Sequence, residues 1–218
     1  MSTFPGSPRL LKGAIIGLDP LKPLASVVVF QYNPDTLSRR ITARSSGGND
    51  NADRSEAFRL TGPPKEEITA SIEIDATDQL EVANPLAVAS GVHPTLAALE
   101  MLLYPGSALT IANTALAMAG NLEIIPPEAP LTLFAWGPAR VVPARISSLS
   151  ITEEAYDTLL NPIRAKVDLT LQVLSYFDLK VTNPGYQLFL AHHIAKEVLA
   201  NLNVANSAVN VAASLKLF

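Results

Sequence analysis

The sequence predicts an α+β fold built on an antiparallel β-barrel or sandwich, with a helix packed on one side. Apolar and polar side chains alternate in segments separated by turn residues, which is typical of half-buried strands in hairpins. Helical periods group in the middle of the chain and near its end instead of following every strand. This order disfavours a parallel doubly wound sheet and favours antiparallel hairpins with a flanking helix.

Three strands are predicted in the first part of the chain. Residues Lys12–Pro20 are continuously apolar from Ala14 and indicate a buried strand closed by the Asp19-Pro20 turn. Residues Ser26–Tyr32 are rich in β-branched and aromatic residues, and the third strand, Leu37–Arg44, alternates with polar residues. Residues Ser45–Ser55 are polar and glycine-rich, so we expect a loop there.

The stretch Phe58–Glu81 predicts a further strand. Gly62, Pro63 and Pro64 punctuate its beginning, so we expect the strand to run only from Glu66 to Ile74, with Glu66 and Glu67 solvated at its start. One side of its two-residue period is apolar, which predicts a single buried face. The residues of that face are Ile68, Ala70, Ile72 and Ile74.

Two helices are predicted after a helical half-turn at residues 78–83. The first begins at His93-Pro94, where His93 is expected to cap it, and ends at Tyr104-Pro105. Its leucines, Leu96, Leu99, Leu102 and Leu103, recur at helical spacing. The second, residues 108–120, contains no charged residue, so we expect it to be buried either within the fold or against another chain.

Three more strands follow, and the last two form a long hairpin. They are predicted at residues 128–138, 141–152 and 161–176, with the hairpin tip near Tyr156–Pro162. Alternation continues from Ile163 to Val173, a run that would extend over about 36 Å of strand.

The end of the chain predicts a helix at Tyr186–Val198. Beyond Asn201, asparagine mixes with valine and alanine, and the pattern fits either a longer helix or an edge strand. We therefore divide the chain into a barrel domain, residues 1–182, and a C-terminal helical tail, residues 183–218.

Composition limits the class of protein. The chain of 218 residues is 48% hydrophobic and 17% charged. This balance leaves apolar surface for a partner after a core is filled. The chain has no cysteine, no apolar run of signal-peptide length and no segment of about 18 apolar residues. We expect a cytoplasmic protein, and the net charge of −4 disfavours nucleic-acid binding.

Charge is unevenly distributed along the chain. Residues 1–62 hold eight Lys or Arg against five Asp or Glu, residues 63–135 hold one against nine, and residues 136–218 hold seven against six. A basic front and an acidic middle suit copies that pack side by side with opposite patches in contact. A solvated edge is the alternative for the basic side chains, which are Arg39, Arg40, Arg44, Arg54 and Arg59.

The carboxylate and histidine side chains that could form a metal or catalytic site lack the partner residues that such a site needs. Asp75, Asp78 and Glu81 recur every three residues, so a helical turn would align them, but the spacing lacks the glycine and the dense oxygen ligands of a calcium loop. His192 and His193 are adjacent and would point about 100° apart on a helix. No serine-hydrolase elbow, phosphate loop or dinucleotide fingerprint occurs. We expect no metal, no cofactor and no enzymatic activity.

The chain resembles the tube-domain proteins of contractile injection systems, the phage-tail-like particles, over residues 12–178. The family is similar to the tail-tube and baseplate-hub adaptors that join the inner tube to the spike. Many relatives end in a LysM module that binds peptidoglycan, whereas this chain has only a short helical tail after Asn183, so wall binding is not expected. Six segments carry the resemblance in order: KGAIIGLDP, VVVFQYNPDTLSR, FRLTGPPKEEITASIEIDATDQLE, GVHPTLAALEMLLYP, LTLFAWGP and ITEEAYDTLLNPIRAKVDLTLQVL.

The resemblance implies a tube-type β-barrel assembled as a six-fold ring whose strands line a lumen. The expected role is a structural subunit of the baseplate that connects the inner tube to the spike or hub. The implied partners are further copies of the chain as a hexamer, with the inner tube, spike, baseplate and sheath proteins, and neither nucleic acid nor direct membrane insertion is expected. The alternatives are an inner-tube or tube-initiator subunit, or a soluble ligand-binding or enzymatic β-barrel. Residues expected at the subunit interface are Arg39, Arg40, Arg44, Asp75, Asp78, Glu81, Tyr156 and Arg164.

Overall fold

A computed structural model describes residues 11–18, 26–45, 60–119 and 129–215. Seven strands and five helices lie in these ranges. The strands are β1 (Ala14–Leu18), β2 (Ser26–Val29), β3 (Leu37–Ser45), β4 (Leu60–Asp75), β5 (Leu131–Ala135), β6 (Val141–Tyr156) and β7 (Pro162–Val173). The helices are α1 (Thr77–Glu81), α2 (Pro85–Ser90), α3 (His93–Glu100), α4 (Ser107–Met118) and α5 (Pro184–Leu215).

The seven strands form one antiparallel sheet in the order β2-β1-β5-β6-β7-β4-β3. The α+β class, the antiparallel pairing and the C-terminal helix are as predicted. The predicted closed barrel is wrong, because β2 and β3 lie at opposite ends of the sheet and do not pair. Alternation specifies which face of each strand is buried, but an open sheet and a barrel share that signature, so the sequence could not decide closure.

The core lies on one face of this sheet and beneath α3. Along β4, the four predicted inward residues are buried, and the odd-numbered residues of β7 from Ala165 to Val173 are buried opposite them. Leu96, Leu99 and Leu102, on α3 and just after it, are buried in the same core. The helix therefore covers the sheet as predicted, although its N-cap is Val92 without a side-chain hydrogen bond, so the predicted capping by His93 is wrong.

Strand β4 starts at Leu60, earlier than predicted, and runs through Pro63 and Pro64. In this part of the strand only β3 pairs with β4, since the pairing with β7 begins at Glu67. The ladder to β3 also shifts register between Thr42 and Arg44, opposite the prolines. Proline is tolerated in a strand where one side is unpaired or the ladder is irregular, so the local breaker signal is overridden.

The hairpin of β6 and β7 is longer than predicted on its first arm, and its tip lies at residues 157–161, as expected. Pro162 pairs with Tyr156 at the end of the ladder. Asp157 closes the tip, because its side chain accepts hydrogen bonds from the backbone N–H of Leu159 at 2.7 Å and of Asn161 at 2.8 Å.

The last two helices differ from the predictions in burial and length. Helix α4 is largely exposed in the single chain, so burial within the fold is wrong, and the alternative of burial against another chain stays a prediction. Helix α5 continues to Leu215, which decides for a helix and against an edge strand beyond Asn201.

Several predicted features lie outside the described residues. They are the Asp19-Pro20 turn, the loop from residue 46, the start of the stretch at Phe58, the side chains of Arg54 and Arg59, and the helix end at Gly120. The predicted domain boundary after residue 182 stays a prediction.

Candidate assembly interface

The outward face of strands β3, β4, β7 and β6 is polar along its central register rows. One row consists of Arg40, Glu67, Gln172 and Arg145, where both Nε and a terminal guanidinium nitrogen of Arg145 donate to Oε1 of Gln172, at 3.0 and 2.6 Å. The next row contains only hydroxyl side chains, and two further rows mix hydroxyls with charges. These rows are Ser38, Thr69, Thr170 and Ser148; Ser71, Asp168 and Ser150; and Glu73, Lys166 and Thr152.

This polar face suits contact with water or with a hydrated partner. The charged side chains of these four rows are balanced in number, with three basic residues, Arg40, Arg145 and Lys166, and three acidic residues, Glu67, Glu73 and Asp168. Polar and apolar faces on opposite sides of one sheet are typical of antiparallel sheets with one wet side.

The outward face becomes apolar at the β2 end of the sheet. Val27 and Val29 of β2 are each 54% exposed, and Ile16 of β1 lies beside Val27 in register. Among the described strands, β2 pairs only with β1, so its other side presents unpaired backbone groups. We call this surface, formed by Ile16, Val27 and Val29, the valine edge. Such an edge favours pairing with another strand.

An ion triad centred on the buried Glu66 joins β3, β4 and α5. The Glu66 side chain is 7% exposed and lies 2.6 Å from a guanidinium nitrogen of Arg39 and 3.1 Å from Nζ of Lys196. Burial raises the pKa of Glu66, but the hydrogen bonds and charges of Arg39 and Lys196 outweigh burial, so its pKa lies below the ordinary value of 4.5. The prediction that Glu66 is solvated is therefore wrong, whereas Glu67 is exposed.

Two more ion pairs use predicted interface residues within the chain. Arg44 of β3 pairs with Asp178 at 3.1 Å, and Arg164 pairs with Asp75, opposite it in register, at 2.8 Å. Burial raises the pKa of Asp75. Hydrogen bonds from Thr77 and Arg164 lower this pKa by more than burial raises it, so the pKa of Asp75 lies below its ordinary value. These contacts hold strands and loops of one subunit together.

The other four predicted interface residues are exposed. Arg40, Asp78 and Glu81 form no ion pair with another described residue. The hydroxyl of Tyr156 donates to the carbonyl oxygen of Glu153 at 3.4 Å, and the ring is 50% exposed. Contact of these eight residues with a second subunit stays a prediction.

The three carboxylates at 75, 78 and 81 are not aligned on a helix. Asp75 is the last residue of β4, whereas Asp78 and Glu81 lie on α1. Among the described residues, no group of three or more Asp, Glu or His side chains is placed to hold a metal ion. On α5, His193 stacks on Tyr176 with ring centroids 6.2 Å apart, and burial lowers the pKa of His192.

Sequence reasoning missed Glu66, Lys196 and Asp178 as structural residues. A signal for Glu66 was available, since it shares the two-residue period of Ile68 and therefore falls on the buried face. No local signal identified Lys196 or Asp178, because Glu66 lies 130 residues from Lys196 in the sequence and Arg44 lies 134 residues from Asp178.

Comparisons with known proteins assign the chain to no family. No protein-family model matches the chain, and no curated protein matches it. The chain is similar to a solved chain described as "Virion of native gene transfer agent (GTA) particle", with 11% identity, a TM-score of 0.30, and coverage of 74% of this chain and 90% of that one. A TM-score of this size is too low to establish a shared fold. None of the helices in the described ranges is long and apolar enough to cross a membrane.

Proposed function

We propose that the chain is a structural, non-enzymatic subunit of a phage-tail-like contractile injection particle. In this proposal, six copies form a ring in the baseplate that connects the inner tube to the spike or hub. The observation that carries the proposal is the open sheet, whose two end strands, β2 and β3, each pair on one side only among the described strands.

Opposite free edges on one sheet are suited to a closed ring. When β2 of one copy pairs with β3 of the next, each copy uses both end strands of its sheet. In a closed ring of such copies, no end strand is left unpaired. The valine edge supplies apolar area at this joint. Strand β3 carries Arg40 on its outward side, and a charged edge strand disfavours indiscriminate pairing.

The polar face of the sheet then lines the lumen of the ring. Its hydroxyl and charged rows tolerate water, whereas the buried face keeps the core and α3 in the wall. The role as a ligand-binding β-barrel is not proposed, because such a role needs a closed barrel around a ligand and the sheet is open.

The joint can be tested by placing a charge on the valine edge. Val27→Lys should raise the concentration needed for half-assembly about threefold or more, because it removes apolar area at the joint and adds a cation on the same outward side as Arg40 of the next copy's β3. Mass photometry over a concentration series measures this shift. Val88→Lys is the matched control, since Val88 is 52% exposed on α2 and belongs to neither end strand.

Thermal unfolding of both lysine variants should match that of the parent protein, because both valines are exposed in the single chain. If Val27→Lys assembles at the same protein concentration as the parent, the proposed pairing of β2 with β3 between copies is wrong. A parent protein that stays a single chain at every concentration would overturn the proposed function.

A further inference from the structure

A cleft of about 280 Å³ lies between the edges of β2 and β4. One wall consists of residues 28–31, at the end of β2 and just after it, and the other consists of residues 72–76, at the end of β4. Consecutive side chains of a strand point to opposite faces, so walls made of consecutive residues place the cleft between two strand edges and not on one face of the sheet. We call it the β2 cleft.

Strand β4 has a free edge at this cleft. It pairs with β7 from Glu67 to Asp75, whereas its pairing with β3 ends at Ala70. Among the described strands, none pairs with residues 72–75 on the side of β3, and β2 pairs only with β1. The unpaired side of β2 and the unpaired part of β4 therefore face each other across the β2 cleft.

The side chain of Gln31 bridges the β2 cleft. Its Oε1 accepts a hydrogen bond from the backbone N–H of Asp75 at 2.9 Å. The N–H of the next residue, Ala76, points the other way and donates to the carbonyl oxygen of Ile163 at 2.9 Å, so the N–H of Asp75 belongs to the free edge of β4. Gln31 follows β2 by two residues and is half-buried. It thus ties the end of β2 to the free edge of β4.

This bridge leaves no room for another strand at its position. Neighbouring strands lie about 4.8 Å apart, so two strands with a third between them are separated by about 9.6 Å. A glutamine side chain extends about 5 Å from Cα to Oε1, so with its hydrogen bond it holds the Cα of Gln31 within about 8 Å of the Asp75 nitrogen. A strand that pairs with the free side of β2 must therefore displace Gln31.

We infer that Gln31 is a latch, which keeps β2 from pairing with β3 of another copy while its hydrogen bond to Asp75 is formed. The inference rests on the proposed function, because a latch on β2 affects assembly only if β2 joins the copies. Opening the latch breaks one hydrogen bond, whereas pairing of β2 with β3 forms several, so assembly can displace it. Covering an end strand in this way disfavours pairing between single chains at low concentration.

Gln31→Ala in the full chain tests the latch. The substitution should lower the concentration needed for half-assembly about two- to tenfold, the range of one neutral hydrogen bond, because β2 no longer has to be released. Gln79→Ala is the matched control, since Gln79 also lines the β2 cleft, whereas the bond to Asp75 comes from Gln31. Mass photometry over a concentration series measures both variants, and the control should assemble within about twofold of the parent protein.

Hydrogen exchange of the Asp75 amide provides a second readout. In single chains, below the assembly concentration, this amide should exchange at least about threefold faster in Gln31→Ala than in the parent protein, and at the parent rate in Gln79→Ala. Equal exchange in all three proteins would overturn the bridge itself. If the parent protein forms rings but Gln31→Ala assembles at the same or a higher concentration, the latch is wrong and the ring stands. If the parent protein never assembles, the proposed function fails first.

Discussion

Glu66 of β4 has two cationic partners from other elements, Arg39 of β3 and Lys196 of α5. Its side chain is buried at the junction of β3, β4 and α5, where Arg39 and Lys196 neutralise it. A buried carboxylate is costly unless it is paired and hydrogen-bonded, so the three side chains depend on one another. The triad therefore fixes the position of α5 on the sheet.

Glu66→Gln should lower the free energy of unfolding by about 1 to 3 kcal/mol at pH 7, because charge-assisted hydrogen bonds to two cations are lost. Urea unfolding measures the change. Glu67→Gln is the control, since Glu67 is exposed next to it. This control should change stability by no more than about 0.5 kcal/mol, as is usual for surface substitutions. Equal effects of the two substitutions would contradict the triad.

The same variant predicts a pH dependence. The pKa of Glu66 is lowered in the folded chain, so its stabilisation is fully present above the ordinary value of 4.5 and is lost as the pH falls through the folded pKa. The stability difference between the parent protein and Glu66→Gln should therefore shrink from pH 7 to pH 3. A difference that grows on acidification would contradict the lowered pKa.

Gly91 is required by its backbone and its surroundings. Its φ is +55°, and a Cβ at this position would collide with the carbonyl oxygen of Pro162. That oxygen accepts a hydrogen bond from the backbone N–H of Val92, which joins the start of α3 to the hairpin. Gly91→Ala should cost about 2 to 4 kcal/mol in thermal or urea unfolding. Gly106→Ala should cost no more than about 1 kcal/mol, because no atom lies within 4 Å of the added Cβ and only the preference for glycine at the N-cap of α4 is lost. Similar costs at both glycines would contradict this explanation.

At the scale of elements, the hairpin tip contains a strained residue. Leu160 has φ of +63° and is 77% exposed, so a β-carbon is held in the left-handed region without burial in the single chain. Asp157 nevertheless closes the turn through its hydrogen bonds to Leu159 and Asn161.

Leu160→Gly should stabilise the chain by about 0.5 to 1 kcal/mol, because glycine adopts positive φ without a steric penalty. Leu159→Gly, at a neighbouring position that is not in the left-handed region, should give no gain. Urea unfolding of both variants measures the difference, and a loss of stability in Leu160→Gly would rule out strain at this residue.

Elements were predictable where the local pattern and the tertiary context agree. The alternation from Ile68 to Ile74 and the leucines of α3 identified the buried residues, because burial on one face produces these periods directly. The beginning of β4 was not predictable, since whether a strand tolerates Pro63 and Pro64 depends on which neighbouring strands pair there. The burial of Glu66 also depends on partners distant in sequence.

At the scale of the whole molecule, one ion pair among the described residues, Arg39 with Glu66, joins the basic front to the acidic middle within one chain. Arg39, Arg44 and Arg164 are used in ion pairs of the same subunit, whereas Arg40 is not paired with any described residue. The predicted electrostatic joint between subunits therefore depends on Arg40 more than on Arg39. Closure of the sheet was not predictable either, since it depends on whether strands far apart in sequence meet.

Arg40→Glu should weaken assembly at low salt by several-fold and cost the single chain no more than about 1 kcal/mol, because the new carboxylate lies opposite Glu67 in the ladder. Arg39→Glu is an informative contrast, since it breaks the pair with Glu66 and should destabilise the single chain. Mass photometry at low and high salt, with urea unfolding, separates the two effects. Unchanged assembly of Arg40→Glu at low salt would exclude an electrostatic joint there.

The proposed function requires that identical copies join through the end strands of their open sheets and form a closed ring. Mass photometry of the purified parent protein, with negative-stain images of the same sample, tests it most directly. We expect a species of six times the 23.2 kDa chain mass that appears in projection as a ring with a central lumen. A single species at 23.2 kDa across all concentrations would contradict it.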